Sequence, residues 1–285
     1  MHQGANAERT APCADALVQA ILDVLRLRTG CDFSRYRRAT MHRRIRNRMI
    51  ALGIASLPEY LARIEDAEDE ALPLLERLTI KVSRFYRNRA TFDLLRTHVL
   101  PHLARDRGGA ALRMWSAGCG CGEEAYSLAM LLEEAALPGF VVASDIDPAA
   151  LDAARAAAYP AEALAELPPE LRERFLRARP DGRYSVDEAL RARVRLVAHD
   201  LTGRRPAPGA EKYDLVCCRN VLIYLQREAQ ERLLHRLSAV IAPGGWLCLG
   251  EAEWPAPLVP GRLVPLGRTS HLFRLGTDRA QGAPR

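Results

Sequence analysis

Nine consecutive residues carry the densest chemistry in the chain. Ser116-Ala-Gly118-Cys-Gly120-Cys-Gly122-Glu123-Glu124 sets three alternating glycines ahead of two carboxylates. Such a turn lets the backbone approach a ligand with no Cβ in the way. A short apolar run, Leu112-Arg-Met-Trp115, precedes it, and a helix-patterned stretch from Glu124 to Ala136 follows. The next apolar run, Phe140-Val-Val-Ala143, ends at Ser144-Asp145. A nucleotide-binding fold places the acid for ribose hydroxyls there, about 20–25 residues past the turn. Dinucleotide turns hold pyrophosphate at the helix N-terminus, but Glu123 and Glu124 would repel phosphate. They suit a ligand with a cationic ammonium and sulfonium, which S-adenosylmethionine has. Both acids also complement the helix dipole, and the two roles are compatible.

These residues need strands ending at the turn and helices behind it. After Arg105-Asp-Arg-Gly108-Gly109 the pattern alternates between the two. Val194–Ala198 reads as a strand ending at His199-Asp200, and Tyr213–Cys217 as one ending at Arg219-Asn220. Gln226 to Ile241 reads as a helix, and Trp246–Gly250 and His271–Leu275 as strands. Alternation of this kind predicts βαβ units and a mainly parallel sheet. Residues 160–193 fit it least and form an insertion, with a helix over Leu171–Ala178 and a hairpin near Gly182–Val186. Residues 14–100 read as helices throughout. In Tyr36–Leu52, Met41, Ile45, Met49 and Leu52 form one apolar stripe, bordered by Arg37, Arg44 and Arg48.

Composition narrows the classes. Among 285 residues, 48% are hydrophobic, so a sizeable core can be buried, and no run approaches the ~20 apolar residues of a membrane span. With no signal-peptide pattern at Met1–Cys13, the expected compartment is the cytoplasm. Seven cysteines are then expected as thiols, and Cys119-x-Cys121 as small loop residues with no metal bound. The net charge of +6 is uneven: nine arginines lie between Arg26 and Arg48 against the single acid Asp32. That block suggests an anionic partner.

Several of these segments together resemble the CheR family of chemoreceptor methyltransferases. They are Arg113–Ser127, Ala143-Ser-Asp-Ile-Asp147 and Cys218-Arg-Asn-Val-Leu-Ile-Tyr224. Thr79–Asn88 resembles the family's Asn-x-Thr-x-Phe-Phe-Arg motif, with Lys81, Ser83 and Tyr86 in place of Asn, Thr and the second Phe. The likeness runs from about residue 15 to residue 275. It implies an α/β protein: a Rossmann-like class I methyltransferase domain with a small inserted β-subdomain, preceded by an all-helical N-terminal domain. The expected bounds are 14–100 for the helical domain, 101–110 for a linker and 111–277 for the methyltransferase domain, with flexible tails at 1–13 and 278–285.

The resemblance also implies roles. S-adenosylmethionine would be the methyl donor and S-adenosylhomocysteine the product. Gly118 and Gly120 would lie against its methionyl part, Glu123 or Glu124 near its ammonium, and Asp145 at the ribose. Asp200 and Leu201 would border the adenine, Asn220 and Val221 would floor the site, and Lys81, Ser83 and Arg87 would complete it. Arg87 would grip one oxygen of an acceptor glutamate and Tyr224 would orient it. The partner would be the cytoplasmic domain of a chemoreceptor, docked on Arg37, Arg44 and Arg48, with no nucleic acid, no membrane insertion and a monomeric enzyme. Two other readings are an RNA methyltransferase using the basic helix and a non-catalytic donor sensor. Against the first, Arg-Asn-Val-Leu-Ile-Tyr replaces the Asn/Asp-Pro-Pro-aromatic motif usual in amino-methylating enzymes. Intact Glu123, Asp145, Asn220 and Tyr224 argue against the second.

Overall fold

The computed structural model describes residues 13–79, 83–209, 211–255, 263–267 and 270–276. The chain divides into two compact units, Met1–Leu78 and Thr79–Arg285. In the first, α1 (Ala14–Thr29), α2 (Arg38–Leu52), α3 (Leu57–Asp66) and α4 (Ala71–Leu78) pack around Ile21, Leu25, Met41, Ile45, Tyr60, Ile64 and Leu74. Helix α1 stops where Gly30 turns left-handed at φ 75° and donates to the Arg26 carbonyl. Ser56 caps α3 by accepting from the Glu59 N–H. The expected stripe on α2 is buried at Met41, Ile45 and Met49, but Leu52 is 36% exposed because the helix ends there.

The second unit begins with α5 (Arg89–Leu94), a π-helical turn (Leu95–Val99) and α6 (Leu100–Arg107). Then come β1 (Leu112–Ala117), α7 (Glu123–Glu134), β2 (Gly139–Asp145), α8 (Pro148–Ala156) and β3 (Ala158–Tyr159). The insertion holds α9 (Pro169–Phe175), β4 (Leu176–Ala178), β5 (Tyr184–Val186) and α10 (Glu188–Arg191). After it come β6 (Val194–Ala198), β7 (Tyr213–Cys218), α11 (Arg227–Val240), β8 (Ile241–Leu249), β9 (Leu263–Pro265) and β10 (Leu272–Leu275). The main sheet runs β6-β2-β1-β7-β8-β10-β9, parallel across its first five strands and antiparallel at β10 and β9. A separate sheet, β3-β5-β4, forms the inserted subdomain and borrows β3 from just before it.

Two expectations on boundaries change. The units separate at Leu78–Thr79, not near residue 100, and α6 occupies most of the expected linker. Its polar surface reads as a linker, yet Leu100 and Leu103 are buried in the same core as β1. The expected tails lie outside the described residues, apart from Cys13. Strand order reverses between β1 and β7. From β1 the chain steps out to β2 and β6, then returns to β7 and steps the other way to β8. Open parallel sheets bind ligands at the carboxyl ends of strands beside such a switch point.

Candidate active site

Three turns meet at that switch point. The first follows β1. Gly118 has φ 81°, and a Cβ on it would stand 2.6 Å from Val221 Cγ2, so only glycine fits. The amides of Gly118 and Cys119 donate to the Ser144 carbonyl at 2.8 and 2.9 Å, folding the turn over the end of β2. The Gly120 N–H donates to Asp145 Oδ2 at 2.8 Å, and the Asp147 N–H to Asp145 Oδ1 at 3.0 Å. Burial raises the Asp145 carboxyl above its ordinary range, and these two amides oppose the rise. The Ile146 N–H opposes it as well.

The second turn precedes α5. Tyr86 and Asn88 are both left-handed, at φ 54° and 65°, and bracket Arg87. A bulky residue at positive φ is strained, so the surroundings must hold it. The Tyr86 N–H donates to Ser127 Oγ at 3.0 Å and its hydroxyl to Glu134 at 3.0 Å. Its ring stacks on Phe92 with centroids 4.7 Å apart. The Asn88 N–H donates to Glu166 at 2.7 Å and the Phe85 N–H to the Ala163 carbonyl at 2.9 Å, so the inserted subdomain holds this turn too.

The third turn follows β7 and carries Arg219, Asn220 and Tyr224. Buried Arg219 joins all three turns. Nη2 donates to the Arg87 carbonyl and to Asn88 Oδ1, both at 2.7 Å, and Nη1 meets Glu124 Oε2 at 3.3 Å. Glu124 Oε1 accepts from Ser116 Oγ at 2.7 Å. Arg219 Nε is buried without a hydrogen-bond partner. Asn220 is left-handed at φ 60°.

An open cleft of about 520 Å³ is lined by Ser83, Arg87, Gly118, Cys119, Gly120, Glu124, Arg219, Asn220 and Tyr224. Seven of these were expected from the sequence. Arg219 and Cys119 were not, although both lie inside the recognised motifs. The signal for Arg219 was a guanidinium directly after the mostly apolar run Leu215–Cys218, where an unpaired charge would be costly. The cleft fits an amino-acid sulfonium: a glycine cradle, the Glu124 carboxylate for an ammonium, and the Arg219 guanidinium near a carboxylate, with Arg87 left for a second anion.

Other expected residues stand elsewhere. Adjacent on α7, Glu123 and Glu124 face different cavities. Glu123 lines a separate cavity with Arg84, Tyr159, Glu162 and Arg183, and its Oε2 is buried without a partner. Burial pushes its carboxyl up to about 7. Asp200 does not line the cleft, and its Oδ1 folds back on its own turn, accepting from the Thr202 N–H at 2.7 Å and Thr202 Oγ1 at 2.8 Å. Leu201 lines an apolar cavity with Trp115, His199 and α11, although its Cδ1 lies 3.7 Å from where a Gly118 Cβ would be. Val221 packs against Gly118 instead of opening into the cleft. Lys81 lies outside the described residues.

The expected docking arginines separate as well. Arg48 bonds Glu70 through two nitrogens, at 2.8 and 2.7 Å, and Glu70 is 1% exposed. Arg44 donates to the Arg77 carbonyl at the end of α4 at 2.8 Å. Helical spacing beside the apolar stripe, which suggested a free edge, in fact turns both inward to polar groups of neighbouring helices. Arg37, Arg38, Arg43 and Arg46 are the exposed cations of this segment.

Comparison with known proteins agrees with this geometry. Residues 81–256 match the family described as CheR methyltransferase, SAM binding domain, and residues 16–79 match CheR methyltransferase, all-alpha domain. Chemotaxis protein methyltransferase 1 of Pseudomonas aeruginosa is 34% identical over 220 residues, 74% of this chain and 80% of that protein. The chemotaxis protein methyltransferase of Listeria monocytogenes is 32% identical, covering 79% of this chain and 84% of its own. An uncharacterized 104.1 kDa protein of Rhodobacter capsulatus is 35% identical over 82% of this chain, which spans 25% of that protein's length. The three turns at the switch point, on a sheet of this order, are therefore those of an S-adenosylmethionine-dependent methyltransferase, and the chain belongs to the CheR methyltransferase family.

Proposed function

We propose that the protein methylates glutamate side chains on the cytoplasmic part of a chemoreceptor-type protein, forming glutamate methyl esters. The carrying observation is what the cleft offers an acceptor. The Arg87 guanidinium lines it, while Glu124, the one carboxylate among the described lining residues, is already engaged at both oxygens. Burial, with Asp145 and Glu124 nearby, pushes the Cys119 thiol up, so it is a poor proton acceptor. Among the described lining residues, none is thus poised to deprotonate an amine or hydroxyl. A glutamate, with an ordinary pKa of about 4.3, arrives already ionised and needs no base.

S-adenosylmethionine supplies a methyl carbon on a positively charged sulfur. Glu124, Asn220 and the Gly118–Gly120 backbone would hold its amino-acid end, and Asp145 its ribose hydroxyls. Arg87 would grip one acceptor oxygen and leave the other to attack, with Tyr224 orienting the carboxylate. Positioning carries such a displacement, and good orientation alone can supply roughly 7–11 kcal/mol. The left-handed residues flanking Arg87 fix its backbone before the acceptor arrives.

Docking is assigned to the exposed face of α2. Arg43 and Arg46 stand about one turn apart there, with Ile50, 70% exposed, one turn further on and exposed Arg37 at the N-cap. An acidic receptor helix would complement it. The test is incubation of receptor fragments with labelled donor, followed by peptide mass spectrometry. A base-labile methyl gained on glutamate is the expected result. Label transferred to RNA and not to protein would overturn the assignment.

A further inference from the structure

Parallel strands β7 and β8 end side by side, with Cys218 paired to Leu249. Beyond that pair the chain turns away on both sides, and the backbone N–H groups that follow have no ladder partner. Buried N–H groups must find acceptors. One side chain supplies them. Glu253, 4% exposed, accepts from the Asn220 N–H at 2.9 Å and the Gly250 N–H at 2.8 Å through Oε2. Its Oε1 accepts from the Ile223 N–H at 3.3 Å. The turn on its own side is pinned as well. His271 Nδ1 lies 2.9 Å from the Glu253 carbonyl, and Trp254 packs edge-on against His271 and Phe273. No room is spare: a Cβ on Gly250 would stand 2.8 Å from Glu253 Oε2 and 2.9 Å from the Asn220 nitrogens.

We propose that Glu253 is a positioning residue of the donor site, holding the Arg219–Tyr224 turn so that Asn220 and Tyr224 face the cleft. The assignment rests on reading that cleft as the donor site. Glu253 does not line the cleft. It acts through the backbone N–H groups of Asn220 and Ile223, and the left-handed φ of 60° at Asn220 needs external support. A buried carboxylate accepting from backbone amides makes charge-assisted bonds, stronger than a neutral acceptor would.

The test is calorimetric titration of the full chain with S-adenosylhomocysteine, alongside melting temperatures. The set is native protein, Glu253→Ala, Glu253→Gln, Gly250→Ala, Asp145→Ala as the site control and Leu234→Ala as the stability control. Leu234 is buried on α11 and lines neither the cleft nor the turn. Glu253→Ala should weaken binding roughly tenfold or more, which corresponds to about 1.4 kcal/mol. Gly250→Ala should do the same, because its methyl group displaces the same carboxylate. Glu253→Gln should lose less, since one oxygen remains for Asn220 and Gly250. Leu234→Ala should lower the melting temperature with affinity unchanged. The proposal fails if Glu253→Ala and Glu253→Gln bind like native protein while Asp145→Ala does not. It also fails if Leu234→Ala loses as much affinity at an equal fall in melting temperature. Native affinity in Asp145→Ala would instead overturn the donor-site reading beneath it. If Glu253→Ala does not fold, the isosteric Gln variant carries the comparison with Leu234→Ala.

Discussion

Each unit of the protein contains a buried arginine–glutamate pair, and the two pairs are built differently. In the helical unit, Arg48 meets Glu70 through two nitrogens, and the Tyr60 hydroxyl adds a bond to Glu70 at 2.7 Å. Burial alone would raise the Glu70 carboxyl, but Arg48 and Tyr60 outweigh it and hold the carboxyl below its ordinary range. Both oxygens of Glu70 are thus filled. In the methyltransferase unit, Arg219 meets Glu124 through one nitrogen at 3.3 Å, leaves Nε unpaired and spends its other nitrogen on a neighbouring turn. This pair borders a cleft. The first pair spends two nitrogens of its arginine on one acid, while the second shares its arginine among an acid and the backbone and side chain of another turn.

Breaking the first pair should have the largest effect. Glu70→Ala leaves Arg48 and the Tyr60 hydroxyl without their acceptor, and such breaks typically cost 3–5 kcal/mol, about as much as expected here. Chemical denaturation should show the loss, with S-adenosylhomocysteine affinity unchanged. A loss under about 1 kcal/mol, the worth of an exposed pair, would erase the distinction between the two pairs. Arg219→Met should behave in the opposite way. It unties Arg87, Asn88 and Glu124 together, so donor affinity should fall by about 1.5–3 kcal/mol, the usual worth of bonds to a charged group. If stability falls and affinity holds, Arg219 belongs with Arg48.

Glu123 offers a third contrast, a buried acid whose Oε2 has no hydrogen-bond partner. Its carboxyl titrates near 7 in the folded chain against 4.5 unfolded. Between those values the folded chain holds a proton that the unfolded chain has lost. Stability should therefore fall as pH rises from about 4.5 to 7 and level off above, by on the order of 3 kcal/mol. His199 acts in the opposite direction, since burial and then Arg236 lower its pKa below 6.5. The difference between native protein and Glu123→Gln isolates the Glu123 contribution. Parallel stability curves for the two would show that folding does not shift the Glu123 carboxyl from its unfolded range.

Smaller effects sharpen the functional side. Arg87→Ala should lower turnover about tenfold, near 1.4 kcal/mol, with a lesser loss of donor affinity. An equal loss in both would move Arg87 from the acceptor to the donor. The double variant Arg43→Ala/Arg46→Ala should raise the KM for receptor a few-fold, by about 0.5–1 kcal/mol, and less at high salt, because exposed charges are screened. Arg48→Ala should lower the melting temperature instead. Normal KM in the double variant at low salt would remove α2 as the docking surface.

By itself the sequence determined the main-sheet strands other than β9, the glycine turn, Asp145 and the motif around Asn220, while β3 and β4 of the insertion escaped it. Each is local: an apolar run of strand length, a residue type that only one backbone conformation accepts, an acid at a strand end. It also carried the family, because those local pieces recur in fixed order. The tertiary structure decided the rest. It sent Glu123 and Glu124, neighbours in sequence, to different cavities, since successive residues on a helix point about a quarter-turn apart. It turned Arg48 inward to an acid 22 residues away and gave Arg219 partners more than 90 residues away. It folded Asp200 Oδ1 back on its own turn, and it brought Glu253 beside Asn220 because β7 and β8 are neighbours. Helical and strand periodicity tell which face a residue is on. Which partner a buried charge meets depends on how the elements pack, and a long polar side chain turns toward whichever partner packing sets within reach.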